Sequence, residues 1–363
     1  MVSLYDLMML QQQFSHLSTS IPSLDALFLS NMGPRHRVYD FQAGPGNSAL
    51  YTVTASLVVS HLAHSPKNRA VVIDTLEHFP WHYLTTNPQF DQAWLDHNLV
   101  SYTADTFGKL MALLASPRLV PPGDTATTIV VINGFHELVE FYKLELSASY
   151  EEALLKSHLE RNALFLSNQR QFQQAGTTSP LPELPPSSDL LTDSPAAKFD
   201  AHLHALLNLV SGVAFKHDLV CILLGHLDTA YKLDSASQDT SGATDTSQYS
   251  SKGRVVLAPA LVGNRHHRNK VALESFITTR LVFYKDWYHN SVHYREAQER
   301  NDSYRENDRE GYRETHREKH LPSRRVDPAA LRTVYAVRVE HLQAMASETP
   351  TVFFDYDDID YRL

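Results

Sequence analysis

Three short, uninterrupted apolar runs constrain this chain more than any other feature: "RAVVIDT" at Arg69–Thr75, "TTIVVIN" at Thr127–Asn133 and "LVCILLG" at Leu219–Gly225. Each has the length of a strand. A strand that is apolar at every position, not at alternate ones, must bury both of its faces, and that is the situation inside a parallel sheet covered by helices. Helical patterns fill the intervals: Leu50, Val53, Leu57 and His61, then "TFGKLMALLAS", "SYEEALLKSHLERNALFLSNQRQF" and "AAKFDAHLHALLNLVSGVAFKH". This alternation predicts an α/β fold with a mostly parallel central sheet and helices on both faces. Near the end of the chain, "SFITTRLVFYKDW" and "LRTVYAVRVEHL" alternate apolar with polar residues. They are predicted as antiparallel strands, partly exposed at one edge of the sheet.

The chain has 363 residues and is 43% hydrophobic, enough for a sizeable core. Its formal net charge of -9 means that nucleic acid is not attracted globally, so any contact with it needs a local basic patch. The single cysteine, Cys221, lies within an apolar run and reads as a core residue. A disulfide framework is therefore excluded, and a reducing compartment fits. No run reaches the roughly 18 apolar residues of a membrane span. No basic region precedes an apolar one at the start, so no secretory signal is expected.

The expected organisation is an N-terminal helical or interaction segment, residues 1–37, followed by an α/β core over 38–363. Three polar inserts interrupt the core, at 175–195, 233–253 and 291–325, and their composition suits disorder. The third repeats Tyr-Arg-Glu at Tyr294, Tyr304 and Tyr312; it reads either as a solvated segment between two strands or as an arm for a partner.

"VYDFQAGPGNSALYTVTASLVVSHL", Val38–Leu62, has the layout of a phosphate-binding loop: a strand, a glycine-rich turn and a helix. Gly44, Gly46, Asn47 and Ser48 supply the turn and the helix N-terminus. A working loop also needs a lysine for the β- and γ-phosphates and a Ser or Thr for magnesium. Ala49 stands at the lysine position and Leu50 at the hydroxyl position; the next lysine, Lys67, lies beyond the helix. "TTIVVIN" ends in Asn133, where strong magnesium binding calls for an aspartate. ATP hydrolysis is therefore not expected, no catalytic residue is assigned, and no cofactor is expected. The turn reads either as a residual nucleotide site or as a tight strand-to-helix connection kept for folding. His136, Glu137 and Glu140 follow Asn133; an acid/base site is one reading, a helix start with acidic residues in its first turn the other.

The order of these segments resembles the RecA-type recombinases of eukaryotes, and among them the recombinase paralogues. "TSIPSLDALFL" is similar to the family's opening segment, and "VYDFQAGPGNSAL" and "TTIVVIN" occupy its Walker A and Walker B places. "RAVVIDTLEHF" matches a family strand at Asp74, Thr75 and Phe79. "APALVGNRHHRNKVALESFITTRLVFYK" matches a later stretch at Pro259, Ala260, Leu261, Thr279, Arg280 and Leu281. The resemblance covers about residues 18–285. It implies a RecA-like core, with Leu76 where the family's catalytic glutamate stands and Gly225–His226 where its nucleotide-sensing Asn-Gln pair stands. The family's helical N-terminal domain is not expected here, since Val38 already opens the first strand. The degenerate site most resembles the small paralogue of the X-ray-repair cross-complementing type and its fungal counterpart in the Shu complex. The role this implies is non-catalytic: a nuclear subunit that supports the recombinase filament in recombinational repair. Its implied partners are other recombinase paralogues and a SWIM-domain subunit of the Shu type.

In such folds the loop before the "TTRL" strand faces DNA. Here that loop carries Arg254, Arg265, His266, His267, Arg268 and Lys270, a cluster suited to sequence-tolerant phosphate contact. A solvated loop is the other reading. Adjacent histidines without cysteine make a poor tetrahedral set, so no metal is expected. Leu4, Leu7, Phe14 and Leu24 are candidates to meet a partner, because the family associates by adding a strand or an apolar motif to a neighbour's sheet; packing of this segment on its own domain is the other reading. Two other functions remain open: a weakly active DNA-dependent ATPase with an unusual phosphate loop, and a structural scaffold without DNA contact.

Overall fold

The structure, a computed structural model, describes residues 17–28, 37–117, 119, 127–175, 194–233, 253–261, 273–289, 331–342 and 350–354. In chain order the elements are α1 (Pro22–Phe28), β1 (Val38–Ala43), α2 (Ala49–His64), β2 (Arg69–Asp74), α3 (His82–Thr85) and α4 (Trp94–His97). Next come β3 (Leu99–Thr103), α5 (Phe107–Leu114), β4 (Thr128–Asn133), α6 (Phe135–Ala175), α7 (Pro195–Lys216) and β5 (Val220–His226). The remainder is β6 (Asp228–Leu233), β7 (Gly253–Ala258), a 3₁₀ turn (Leu273–Phe276), β8 (Thr279–His289), β9 (Leu331–His341) and β10 (Thr351–Phe354).

An eight-stranded sheet runs in the order β10-β9-β8-β1-β5-β4-β2-β3, and β6 and β7 form a separate antiparallel ribbon. The strands from β3 across to β8 are parallel; β9 runs antiparallel to β8, and β10 antiparallel to β9. The apolar runs are explained residue by residue. In β2, Val72 joins the core under α2, and Val71 and Ile73 join the core under α5 and α7. Ile129 and Val131 against Val130 and Ile132 in β4, and Ile222 against Cys221 and Leu223 in β5, divide the same way. Successive side chains of a strand point to opposite faces, so a strand buried on both has no polar position to spare.

β8 departs from expectation. It is parallel to β1 and interior to the sheet, with Leu281, Val282 and Phe283 buried; the antiparallel end begins one strand later, at β9. Its polar alternation comes from Arg280, whose charge is matched inside the fold. β3, β10 and the β6–β7 ribbon had no clear signal in the sequence. β3 reads "LVSYT", with only Leu99 buried.

The segment before β1 packs on the core. Leu17, Ile21 and Leu24 join the cluster beneath α2. The Asp25 carboxylate accepts from the Thr19 N–H (2.7 Å), the Thr19 hydroxyl (2.6 Å) and the Ser18 hydroxyl (2.8 Å), which pins the turn ahead of α1. Helix α6 is continuous over 41 residues, about 60 Å at 1.5 Å per residue. No side chain described in it beyond Val139 is buried, and Leu155 and Leu159 lie exposed along it.

Candidate functional site

In an open parallel sheet, ligands gather outside the carboxyl ends of the strands. The glycine turn leaves the carboxyl end of β1 there, and it is internally closed. The Gly44 N–H donates to the Phe283 carbonyl (3.2 Å), and the Asn47 N–H donates to the Gly44 carbonyl (3.2 Å). Gly46 takes the left-handed region, with φ +69. Its carbonyl accepts from the Lys285 ammonium at 2.7 Å, across 239 residues of sequence. Ser48 precedes α2, and its carbonyl accepts from the Tyr51 N–H (3.0 Å) and the Thr52 N–H (3.3 Å). Ala49, at the expected lysine position, is 2% exposed and sits in the core.

The ends of β2 and β4 face each other in register, Asp74 opposite Asn133. Each side chain there has a structural task. Asp74 accepts from the Phe79 N–H (2.9 Å) and lies 3.2 Å from His78 Nδ1, so its carboxylate shapes the turn. The Thr75 hydroxyl lies within hydrogen-bond distance of the Asn133 (2.7 Å) and Gly134 (2.8 Å) carbonyls. Asn133 is 1% exposed, and its amide donates to the Glu77 carbonyl at 2.9 Å. A carboxylate in that place would set oxygen against oxygen. Leu76 is 42% exposed and carries no base.

Beneath the site lies a charged network that the sequence reading did not assemble. Asp40 of β1 is fully buried; its Oδ1 lies 2.8 Å from His136 Nε2, and its Oδ2 accepts from Arg280 Nε (2.7 Å) and Gln42 Nε2 (2.7 Å). Gln42 and Arg280 also tie down residue 260: the Ala260 N–H donates to Gln42 Oε1 (2.8 Å), and Arg280 donates to the Ala260 carbonyl (3.1 Å). Burial alone would raise the Asp40 carboxyl, but the His136 imidazole and the Arg280 guanidinium outweigh it and hold it below the usual carboxylate range. Gly225 makes the network possible. A Cβ there would stand 2.3 Å from His136 Cδ2, so only glycine lets the imidazole reach Asp40. The available signal was a lone Asp and a lone Arg, each inside an apolar strand, "VYDF" and "TTRLVF".

His136 and Glu137 do begin a helix, α6, and they also have specific partners. Glu137 Oε1 accepts from the His226 N–H (2.7 Å) and from His226 Nδ1. Burial tends to raise the Glu137 carboxyl, yet these hydrogen bonds and the neighbouring imidazoles bring it below its ordinary value. The hydrogen bond to Glu137 raises His226 against the opposing effect of burial. The pair borders a cleft of about 620 Å³ over the ends of β4 and β5, walled by Leu76, Phe141, Phe199 and Leu203.

A second cleft, about 450 Å³, lies on the other side of the glycine turn, against β8 and β9. Gly44, Asn47, Tyr284, Lys285 and Arg338 line it. Lys285 and Arg338 were not anticipated, since nothing near the turn in sequence points to them.

Of the residues expected to touch DNA, Arg254 lies in β7, in register with Lys232; Arg265, His266, His267, Arg268 and Lys270 lie outside the described residues. Leu4, Leu7 and Phe14 of the expected partner surface also lie outside them. Leu24 follows the other reading of this segment: it is fully buried against its own domain, in the cluster with Leu17 and Ile21. Among the described residues no group of His, Cys, Asp or Glu is placed to hold a metal, and no helix is long and apolar enough to cross a membrane. No family model matches the chain, and no curated protein matches it.

Proposed function

We propose that this chain is a non-catalytic recombinase paralogue with a RecA-like core. It acts in the nucleus, binds other recombinase paralogues and a SWIM-domain subunit of the Shu type, and supports the recombinase filament during recombinational repair of double-strand breaks. One observation carries the non-catalytic half of this reading. Ala49, Leu76 and Asn133 occupy the positions of the lysine, the general base and the metal-binding acid. One is core, one is an apolar surface residue, and one donates a structural hydrogen bond. Phosphoryl transfer is catalysed by positioned charge, and none of these positions supplies any. The mostly parallel sheet, with β5 between β1 and β4 and an antiparallel end beyond β8, is compatible with the RecA-like core. The sequence between β8 and β9, rich in Tyr-Arg-Glu, carries charges of both signs that suit a partner, and the outer length of α6 with Leu155 and Leu159 exposed offers a surface for one.

The test is affinity purification of the full chain from cells under native conditions, with an ATPase assay on the recovered complex. Recovery of recombinase paralogues, with hydrolysis attributable only to them, is expected. Recovery of none, or magnesium-dependent turnover by the isolated chain that is lost on changing Gly46 or Ser48, overturns the reading. Replacing Arg265, Arg268 and Lys270 by alanine is expected to weaken the complex's DNA binding and its salt dependence. No change would favour a scaffold without DNA contact.

A further inference from the structure

The outer part of helix α6 carries a leucine at every eleventh residue: Leu144, Leu155 and Leu166. Eleven residues make about three helical turns, so on a nearly straight helix these side chains stay on one face. Ala148 and Leu159 stand four residues after the first two leucines and fill the same face. From Leu144 to Leu166 the stripe runs about 33 Å at 1.5 Å per residue. Leu144, Leu155, Leu159 and Leu166 are each more than half exposed. On the other side of the helix Leu146, Tyr150, Leu154 and Phe172 are half-buried, so the two sides are not equivalent. A single leucine on a surface needs no explanation, but a continuous apolar stripe marks a place of association.

The charges along α6 identify the occupant. The stretch 140–154 holds Glu140, Glu145, Glu151 and Glu152 against Lys143, a net charge of -3. The stretch 156–174 holds Lys156, Arg161 and Arg170 against Glu160, a net charge of +2. Leu155 is the boundary. A second copy laid parallel would set acid on acid and base on base. Turned end for end about Leu155, it sets each acidic half on the basic half of its neighbour. Leu144 and Leu166 lie eleven residues to either side of Leu155, and Glu140 and Arg170 fifteen. The same turn therefore brings Leu144 opposite Leu166, Leu155 opposite its own copy and Glu140 opposite Arg170. Such self-complementarity about a point is what a two-fold interface requires. Leu159 comes opposite Glu151, which costs apolar contact and keeps the pairing weak.

We propose that this chain forms an antiparallel homodimer through the outer part of α6, with the two-fold axis at Leu155. The pairing uses neither the glycine turn nor the role in repair proposed above.

Sedimentation equilibrium of the full chain tests this over a range of concentration and salt. One helix pair is a small interface, so a monomer–dimer equilibrium with a micromolar dissociation constant is expected, weakened by salt. Leu155→Asp removes both central leucines and sets two carboxylates on the axis; it should weaken the dimer at least about a hundredfold. Because Leu155 is exposed, the circular dichroism and the unfolding midpoint of that variant should match those of the parent. Cys221 is buried, so introduced cysteines report on orientation. Under a mild thiol oxidant, Leu155→Cys should cross-link to its own copy. Leu144→Cys alone should not, but mixed with Leu166→Cys it should. The proposal fails if the chain is monomeric at about 100 µM, if Leu155→Asp leaves the dimer intact, or if Leu144→Cys cross-links to itself, the mark of a parallel pair. A monomeric chain that loses a different bound protein on Leu155→Asp would assign the stripe to that protein and equally overturn the homodimer. Recovery of recombinase paralogues by the Leu155→Asp variant reports separately on the proposed function.

Discussion

The two sides of the glycine turn are built differently. Toward β2 and β4, the side chains near the turn mostly serve the chain itself: Asp74 holds a backbone N–H, Thr75 and Asn133 Nδ2 hold carbonyls, and Ala49 fills core, while Asn133 Oδ1 is buried without a partner among the described residues. Toward β8 and β9, Lys285 and Arg338 border an open cleft, and Asn47 and Arg338 keep donors without acceptors. The first side is built from bonds within the turn's own neighbourhood; on the second, Lys285 of β8 meets the Gly46 carbonyl and Arg338 of β9 pairs with Glu340. The difference teaches that positive charge beside a strand-to-helix turn need not come from the turn's own sequence. Charge can arrive through the sheet.

The strongest way to break this contrast is to remove the floor that both sides share. Arg280→Met or Asp40→Asn leaves a fully buried partner uncompensated and should destabilise the protein by about 3–5 kcal/mol in urea unfolding. Gly225→Ala drives a methyl group into His136 and should cost up to about 3 kcal/mol by overpacking, with the loss read by the same unfolding curve. Asn133→Asp puts a carboxylate at the end of β4, where a magnesium site of a RecA-like core would need one. Because the native amide donates to the Glu77 carbonyl, the change should instead destabilise by about 1–2 kcal/mol and yield no magnesium-dependent hydrolysis. Hydrolysis by that variant would erase the contrast between the two sides.

The smallest effect is on pH dependence. His226 is raised above 6.5, so its contribution is present below that value and is lost as pH rises through the folded value. Glu137 is lowered below 4.5, so its contribution is present above that value and is lost as pH falls through the folded value. Both describe one interaction, and His226 is partly exposed, so the effect is expected to stay under about 1 kcal/mol. His226→Gln should flatten the stability profile from about pH 6.5 upward, where the raised imidazole loses its proton. An unchanged slope would show that the pair is not an ion pair in solution. Cys221, whose buried thiol is pushed up to about 12, should react with thiol reagents only on unfolding.

The parallel sheet was legible because β2, β4 and β5 are buried on both faces, and burial on both faces writes itself into every residue of a strand. That Ala49, Leu76 and Asn133 carry no charge was legible directly, since a residue's identity needs no fold to be read. β3 and β10 were not, since short strands at or near the edges need few apolar residues. The place of Leu24 stayed open between a partner and its own domain, because the helical spacing of a short segment shows that it has an apolar face, not which surface that face meets.

Local pattern alone thus determined the layering of this protein and placed the uncharged residues Ala49, Leu76 and Asn133 near its strand ends. Tertiary structure alone decided which charges meet. Asp40 meets Arg280 through the pairing of β1 with β8, Gly225 makes room for His136, and Lys285 reaches Gly46 across 239 residues. The physical reason is range: periodicity records whether a side chain is buried, whereas the partner of a charge depends on which strands are neighbours and in what register.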